Sequence, residues 1–338
     1  MTRLLLTGAG GFIGAHTLAA VLAGTDWDVI ATDSFRHFGK TDRLTEVLTT
    51  YPGEAGRVRV VTHDLTVPWS AQAIDRLWPV DYIVNMASES HVDRSIAEPI
   101  PFVRNNVDVA LHMLELARVL APAAFIQIST DEVYGPAPEG HDHAEWSTML
   151  PSNPYSASKA AQEALAIAWW RTYGVPVIIT NTMNNFGESQ DAEKFVPTLI
   201  ARIHRGEEVV IHGAPGAIGS RFYLHARNHA DALLHILTRL PPTPYRDTRA
   251  STFPDRYNIV GDHEIDNRAL AELVARYVGR PLRYVFEDFH ATRPGHDRRY
   301  ALDGTKLAAT GWSAPVPLHE SLERTVRWTL KHPEWLMS

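Results

Sequence analysis

The amino-acid sequence predicts an α/β protein, a doubly wound parallel sheet with a smaller, interleaved second lobe, and three observations carry that expectation. Short apolar runs alternate with stretches whose apolar residues recur at three and four, the first pair is joined by the glycine turn GAGGFIG, and the alternation continues as far as Asn181 before it loosens. The strand-like runs are Leu4 to Thr7, Val29 to Asp33, Val58 to Thr62, Tyr82 to Met86, Phe125 to Thr130 and Val177 to Asn181. Helices are expected over Phe12 to Ala23, Phe102 to Leu120 and Tyr155 to Tyr173. Beyond Asn181 the elements shorten, with a proline-rich break at Leu240 to Pro244, a helix near Ala269 to Val278, and a strand returning to the sheet at Tyr257 to Val260. Two interleaved parts follow: residues 1–181 with about 224–261, and about 182–223 with 262–338. No internal repeat or low-complexity tract interrupts them.

Composition narrows the function. With 338 residues and 45% hydrophobic content the chain buries a large core. A net charge of -7 without a Lys/Arg run gives little support to nucleic-acid or membrane binding. The absence of cysteine excludes disulfides, thiolate metal sites and iron-sulfur clusters, and fits a reducing cytoplasm. Leu4 to Leu6 is too short for a signal-peptide core, so a cytoplasmic location is expected.

The glycine turn lies between a strand and a helix, the context a dinucleotide site requires. Gly8, Gly11 and Gly14 allow a tight turn and close approach of a pyrophosphate, and Phe12 and Ile13 open the helix whose amino terminus faces it. Asp33 ends the second strand, where its carboxylate binds both ribose hydroxyls; that favours NAD over NADP, although Arg36 nearby suits a 2'-phosphate. Asp64, beside Leu65 after the third strand, either hydrogen-bonds an adenine amino group or turns the strand end. Tyr155 and Lys159, four apart, share one helix face, and an adjacent ammonium would lower the phenol toward a base. Thr130, Asp131 and Glu132 follow the fifth strand and face the same cleft; adjacent carboxyls repel, so burial keeps one protonated and leaves the other charged.

GAGGFIG, ASESHVDRSI, STDEVYG, YSASK, NNFGESQ with EKFVP, and RPGHDRRYALD together resemble the extended short-chain dehydrogenase/reductases, and within them the nucleoside-diphosphate-glucose 4,6-dehydratases. The likeness runs nearly end to end, and STDEVYG separates it from related epimerases. It implies a Rossmann domain holding NAD, a nucleotide-sugar lobe and a homodimer paired through the Phe102 and Tyr155 helices. It implies that Tyr155 deprotonates the sugar C4 hydroxyl, that Glu132 removes the C5 proton, that Asp131 protonates the departing C6 hydroxyl, and that Thr130 hydrogen-bonds near C4. Lys159 would also hold the nicotinamide ribose, with Ala87, Ser88 and Ser90 beneath the nicotinamide and its phosphates. Around nucleotide and diphosphate it implies Ser90, Asn185, Lys194, Arg221, Asn258, Arg293 and His296. His91 and Asp93 either join the cofactor site or order their loop.

Ser220 to Leu233 departs from that pattern, with Phe222, Arg227 and Asn228 at unusual places; Asn228 and Asp231 are expected to cap the coming helix, and Phe222 and Tyr223 to reshape the nucleotide pocket. The substrate is therefore read as a dTDP-glucose or UDP-glucose type. A 4-epimerase and a non-catalytic dinucleotide sensor are the alternatives. His225 with His229, and His141 with His143, lack a third ligand and are not read as metal sites; Trp169 and Trp170 are read as core or interface.

Overall fold

The computed structural model describes residues 2–245, 252–288 and 297–336. In its first half β1 (Arg3–Thr7), β2 (Asp28–Asp33), β3 (Val58–Thr62), β4 (Tyr82–Asn85), β5 (Ala124–Thr130) and β6 (Val177–Thr182) alternate with helices. These are α1 (Phe12–Gly24), α2 (Thr41–Thr50), α3 (Ala71–Leu77), α4 (Val92–Ala97), α5 (Pro99–Leu120) and α6 (Pro154–Tyr173). The second half contains β7 (Asn185–Phe186), α7 (Phe195–Arg205), β8 (Val209–Ala214), β9 (Ala217–Ile218), β10 (Ser220–Phe222), β11 (Leu224–His225), α8 (Ala226–Arg239), β12 (Asp255–Ile259), β13 (Glu264–Asp266), α9 (Asn267–Val278), β14 (Tyr284–Glu287), α10 (Thr305–Ala308) and α11 (Leu318–Lys331).

Seven strands form one parallel sheet in the order β12-β6-β5-β4-β1-β2-β3, so the chain reverses direction across the sheet between β1 and β4. A ligand crevice belongs at that reversal, outside the carboxyl ends. The strand period of two explains the two layers around the sheet. Leu4 and Leu6 of β1 pack with Leu18 and Val21 of α1 and Leu233 and Ile236 of α8, whereas Leu5 packs with Val109 and Met113 of α5 and Trp170 of α6. Trp170 is core, its indole donating to the Thr243 carbonyl, and half-buried Trp169 donates to Glu115. A third core, from Leu199, Ile203, Leu270, Val274, Leu322 and Val326, joins α7, α9 and α11 beside the short sheets.

The α8 cap differs from expectation. His225 occupies the N-cap and accepts from the Arg227 amide, so Asn228 and Asp231 lie inside the helix. Their polar groups serve packing instead: Asn228 donates to the Val316 carbonyl and Asp231 accepts from the Trp312 indole. Tyr223 is buried with its hydroxyl on Asn267, whereas Phe222 lines a second cavity with Ser220, Arg298 and Arg299.

Beneath the carboxyl ends of β5 and β6 lies a buried ion pair, Glu163 on α6 with Arg256 on β12. Glu163 also accepts from Ser129 and Asn181, and Arg256 donates to Tyr134 and to the Glu145 carbonyl. Removing one buried partner strands the other charge. Glu163→Gln is expected to lower stability by about 3 kcal/mol in equilibrium denaturation, while Glu163→Met with Arg256→Met recovers more than half of that loss. A Glu163→Gln midpoint equal to that of the parent would show that the pair is not what secures β12 to the sheet.

Candidate active site

One cavity of about 310 Å³ runs along the carboxyl ends from the glycine turn to Lys194. Its wall includes Gly8, Gly11, Phe12, Ile13, Gly14, Asp33, Asp64, Leu65, Ala87, Ser88, Ser90, Thr130, Asp131, Glu132, Tyr155, Lys159, Asn185 and Lys194, so most residues singled out from the sequence meet in one place. Arg221 and Asn258 do not line it. Arg293 and His296 lie outside the described residues.

The glycine turn is dictated sterically. A Cβ on Gly14 would stand 2.0 Å from the Gly8 carbonyl oxygen, and Gly8 itself has φ +66°. Gly11 caps α1 without a side chain, so the first amides of the helix have neither an intrahelical nor a side-chain acceptor and face the cavity. That donor set fits a pyrophosphate. Asp33 accepts from the Gly10 and Phe35 amides and sits at the end of β2, where it fits a ribose diol. Asp64 is a turn residue here: it accepts from the amide and hydroxyl of Thr66 and pairs with Arg36. Arg36 thus has a carboxylate partner. His91 caps α4 and faces Glu193 at 3.6 Å, and Ser88 donates to the Glu89 carbonyl.

At the other end Thr130 caps a 3-10 turn, Asp131–Tyr134, that ends at Gly135, where φ is +75° and a Cβ would meet the Leu150 carbonyl at 2.3 Å. The turn presents both carboxyls to the cavity. Asp131 accepts from Thr130 at 2.8 Å, and its other oxygen is buried with no hydrogen-bond partner among the described residues. Burial, then the neighbouring Glu132 charge, pushes Asp131 up to about 7. Burial raises Glu132 too, opposed by a hydrogen bond from Asn153 at 3.3 Å and by the charges of Arg221 and Lys194. The Tyr300 hydroxyl stands 3.4 Å from the same oxygen.

Asn153 is one of the residues missed in the sequence. It caps α6 in a reciprocal box with Ser156 and also donates to Glu132, so one side chain starts the helix of Tyr155 and Lys159 and steadies a carboxylate. The run N-P-Y-S carries that cap signal. Tyr300 lies within the quoted stretch RPGHDRRYALD but carries no local signal that places its hydroxyl against Glu132.

The expected lowering of Tyr155 by Lys159 is not what the geometry gives. Burial, then Glu132, raises the phenol well above its ordinary value, with Thr130 the opposing hydrogen bond. Lys159 is itself brought down to about 7 by burial, and its ammonium donates to the Ile128 carbonyl at 2.7 Å and to Gln162 at 2.6 Å. With those acceptors turned toward the sheet, the ammonium does not offset the two carboxyls beside the phenol.

Asn258 is fully buried outside that cavity wall; its amide donates to the His143 and Asp303 carbonyls, tying two segments, and its side-chain oxygen has no partner among the described residues. Arg221 donates to the carbonyls of Ser220, Asp297 and Arg298 and lies over the Tyr300 ring at 4.5 Å, acting on the carboxyls by charge from behind the wall. Lys194 donates to the Ser90 carbonyl and joins the two sides of the cavity. Asn185 lines the cavity with its side-chain oxygen buried and unpartnered among the described residues. Among the described residues no group of three or more His, Asp or Glu side chains is placed to hold a metal, and no helix is long and apolar enough to cross a membrane.

Known proteins resemble this chain over nearly its whole length. The chain is 31% identical to dTDP-glucose 4,6-dehydratase of Salmonella typhimurium, covering 99% of this chain and 94% of the relative. It is 34% identical to the low-salt glycan biosynthesis protein Agl12 of Haloferax volcanii, covering 98% and 99%. Among solved structures it resembles the dTDP-glucose 4,6-dehydratase DesIV of Streptomyces venezuelae, with NAD and TYD bound, at a TM-score of 0.83, 33% identity and 99% and 98% coverage. The UDP-glucose 4-epimerase of Thermus thermophilus, in complex with NAD, gives 0.80 at 25% identity with 97% and 98% coverage. Residues 4–259 match the NAD dependent epimerase/dehydratase family, and the chain belongs to it, an NAD-dependent, nucleotide-sugar-modifying enzyme of the extended short-chain dehydrogenase/reductase type.

Proposed function

We propose that this enzyme is a nucleoside-diphosphate-hexose 4,6-dehydratase acting on a dTDP-glucose or UDP-glucose type of substrate. The observation that carries the reading is the carboxyl pair Asp131 and Glu132 in one cavity with Tyr155, with Asp131 held half-protonated near neutrality. An elimination needs a base at C5 and an acid at C6. A bare epimerisation at C4 needs neither. Similarity to named dTDP-glucose 4,6-dehydratases supports the same reading.

The glycine turn, Asp33 and the loop Ala87 to Ser90 would hold NAD, with Tyr155 and Lys159 at its nicotinamide end. Residues 1–181 with about 224–261 carry that half, and about 182–223 with 262–338 carry the nucleotide-sugar lobe, where Lys194 and Asn185 face the diphosphate and sugar. Bound NAD supplies a positive ring that favours the phenolate, a hydride acceptor for C4 and a hydride donor for C6. Tyr155 takes the C4 hydroxyl proton, with Thr130 orienting that oxygen. The 4-keto group acidifies the C5 hydrogen, and Glu132 removes it as a proton. Asp131 gives its proton to the C6 hydroxyl, so the C6–O bond breaks and water leaves. Hydride returned to C6 would leave an enolate, which Glu132 reprotonates at C5; Tyr155 then releases the proton it gained and Asp131 regains one, so the sum is the loss of one water.

Two carboxyls with split protonation fix the pH dependence. Asp131 must be protonated to act, and its value of about 7 lies above the ordinary 3.8, so the acid form persists to neutrality and is lost as pH rises through about 7. The elimination rate measured in single turnovers is expected to fall above that pH. Asp131→Asn should slow water loss by about 10²–10⁴-fold and abolish the falling limb. A limb that survives in Asp131→Asn belongs to another group, such as Lys159, which sheds its proton in the same range.

Glu132→Gln is expected to retain NAD and to stop solvent deuterium from entering C5, read by mass spectrometry of recovered sugar nucleotide. Deuterium entry at the parent rate would remove Glu132 as the base. The reaction itself is tested by incubating the enzyme with dTDP-glucose and with UDP-glucose. Loss of one water without an external reductant supports a dehydratase; unchanged mass with an inverted C4 centre makes it an epimerase; and NAD binding without turnover of any nucleotide sugar leaves a dinucleotide sensor.

A further inference from the structure

Arg43 is the first buried residue of α2, and its guanidinium is fully buried between parts of the chain far apart in sequence. Its Nε and Nη2 donate to the Ser189 carbonyl at 3.0 and 2.8 Å, Nη2 also to the Asp191 carboxylate at 2.8 Å, and Nη1 to the carbonyls of Phe38 and Gly10 at 2.7 and 3.3 Å. These five bonds use all five donors of the group. A guanidinium removed from water without complete pairing costs several kcal/mol, so such a site exists only where every acceptor is in place.

What it joins gives the residue its meaning. Gly10 belongs to the glycine turn, its amide donating to Asp33 and its carbonyl also accepting from the Lys40 amide at 2.8 Å. That carbonyl shares a peptide plane with the Gly11 amide, which donates to Gly8 as the chain enters α1. On the other side Ser189 holds φ +56°, an uncommon value for a residue with a side chain, and its carbonyl takes two of the five bonds. The segment it anchors runs from Asn185 to Lys194, and Gln190, Asp191, Glu193 and Lys194 line the cavity. Trp335 covers the junction, its ring 5.0 Å from Arg43 and 4.7 Å from Lys40.

We infer that Arg43 is a positioning residue that couples the two ligand sites, so that ordering of the glycine turn by NAD orders the Asn185 to Lys194 segment for the nucleoside diphosphate, and the reverse. This rests on the reading of that segment as the nucleotide-sugar side. Since linkage is reciprocal, a nucleoside diphosphate must tighten NAD by the factor by which NAD tightens the nucleoside diphosphate.

The test compares the NAD dissociation constant without and with saturating dTDP or UDP, and the converse titration, in the full chain and in Arg43→Met and Arg43→Lys. In the parent the ratio is expected to be about tenfold, within the ordinary range of coupling between sites. Arg43→Met should bring it to within about twofold of unity while both ligands still bind, and Arg43→Lys, which keeps the charge but cannot reach all five acceptors, should fall between. A merely structural arginine would lower the melting temperature and weaken binding without changing the ratio. The inference is overturned if the parent shows no coupling, or if either variant keeps the parent ratio; should Arg43→Met not fold, Arg43→Lys alone decides. Failure of dTDP, UDP and their glucose derivatives to bind the parent at all would instead sink the nucleotide-sugar reading, and this inference with it.

Discussion

The ammonium of Lys159 is held out of water by the Ile128 carbonyl and the Gln162 side chain, and that pairing organises the layer under the whole cavity. Gln162 passes the polarity on: it accepts from Gln127, which accepts from Asn85, which accepts from Thr7 at the end of β1. The chain crosses four elements of the fold beneath the carboxyl ends, where an apolar layer would otherwise continue. Gln162 also donates to the Asn106 carbonyl, and Asn106 donates to Ser158 and to the Glu89 carbonyl, which fixes the loop after β4 against α6. Buried polar groups are tolerated only when they are satisfied, so each link constrains the next. A displaced Gln162 would free Lys159 and shift α6, and with it Tyr155.

That frame supports an electrostatic arrangement that is costly by itself. A phenol and two carboxyls crowd one cavity, and each of the three is raised by burial. Arg221 acts by charge on both carboxyls and Lys194 on Glu132, and among the described residues neither pairs directly with one. Burial thus disfavours charge on all three groups and brings Asp131 to about 7, while at Glu132 the Asn153 hydrogen bond and the charges of Arg221 and Lys194 oppose the rise. Side-chain oxygens of Asp131, Asn185 and Gln190 within the same wall are buried without partners among the described residues, and sugar hydroxyls are donors of the matching kind.

Much of this was legible in the sequence because local rules coincide with the fold. The alternation of apolar runs gives the sheet, and the glycines, Asp33, the acid pair and the Tyr155 helix all follow strand ends, so they meet wherever strand ends meet. What was not legible depends on partners chosen by tertiary packing. Tyr155 is raised where a lowering by Lys159 was expected, because burial and the Glu132 charge act on the phenol while the Lys159 donors point elsewhere. Asn258 and Arg221 read as ligand contacts by their positions in a motif, yet the fold spends the Asn258 amide donors on the His143 and Asp303 carbonyls and stacks Arg221 over Tyr300. The α8 cap moved from Asn228 to His225 because β11 ends at His225, whose Nδ1 reaches the Arg227 amide.

Two buried arginines show how differently the same side chain serves one molecule. Arg256 ties β12 to the sheet through Glu163, Tyr134 and Glu145, with Trp146 against its plane, and all of its partners belong to framework. Arg43 bonds to carbonyls of the glycine turn, the loop after β2 and the Asn185 to Lys194 segment. Such a residue cannot be replaced by apolar packing without losing orientation, because carbonyl direction, not volume, is what it specifies. The glycine turn and the Asn185 to Lys194 segment are thus both bonded to a single planar group. Lys40 runs beside it, its amide on the Gly10 carbonyl and its ammonium 3.7 Å from Asp191, but among the described residues only Arg43 spans the junction with direct bonds to both the Gly10 and Ser189 carbonyls.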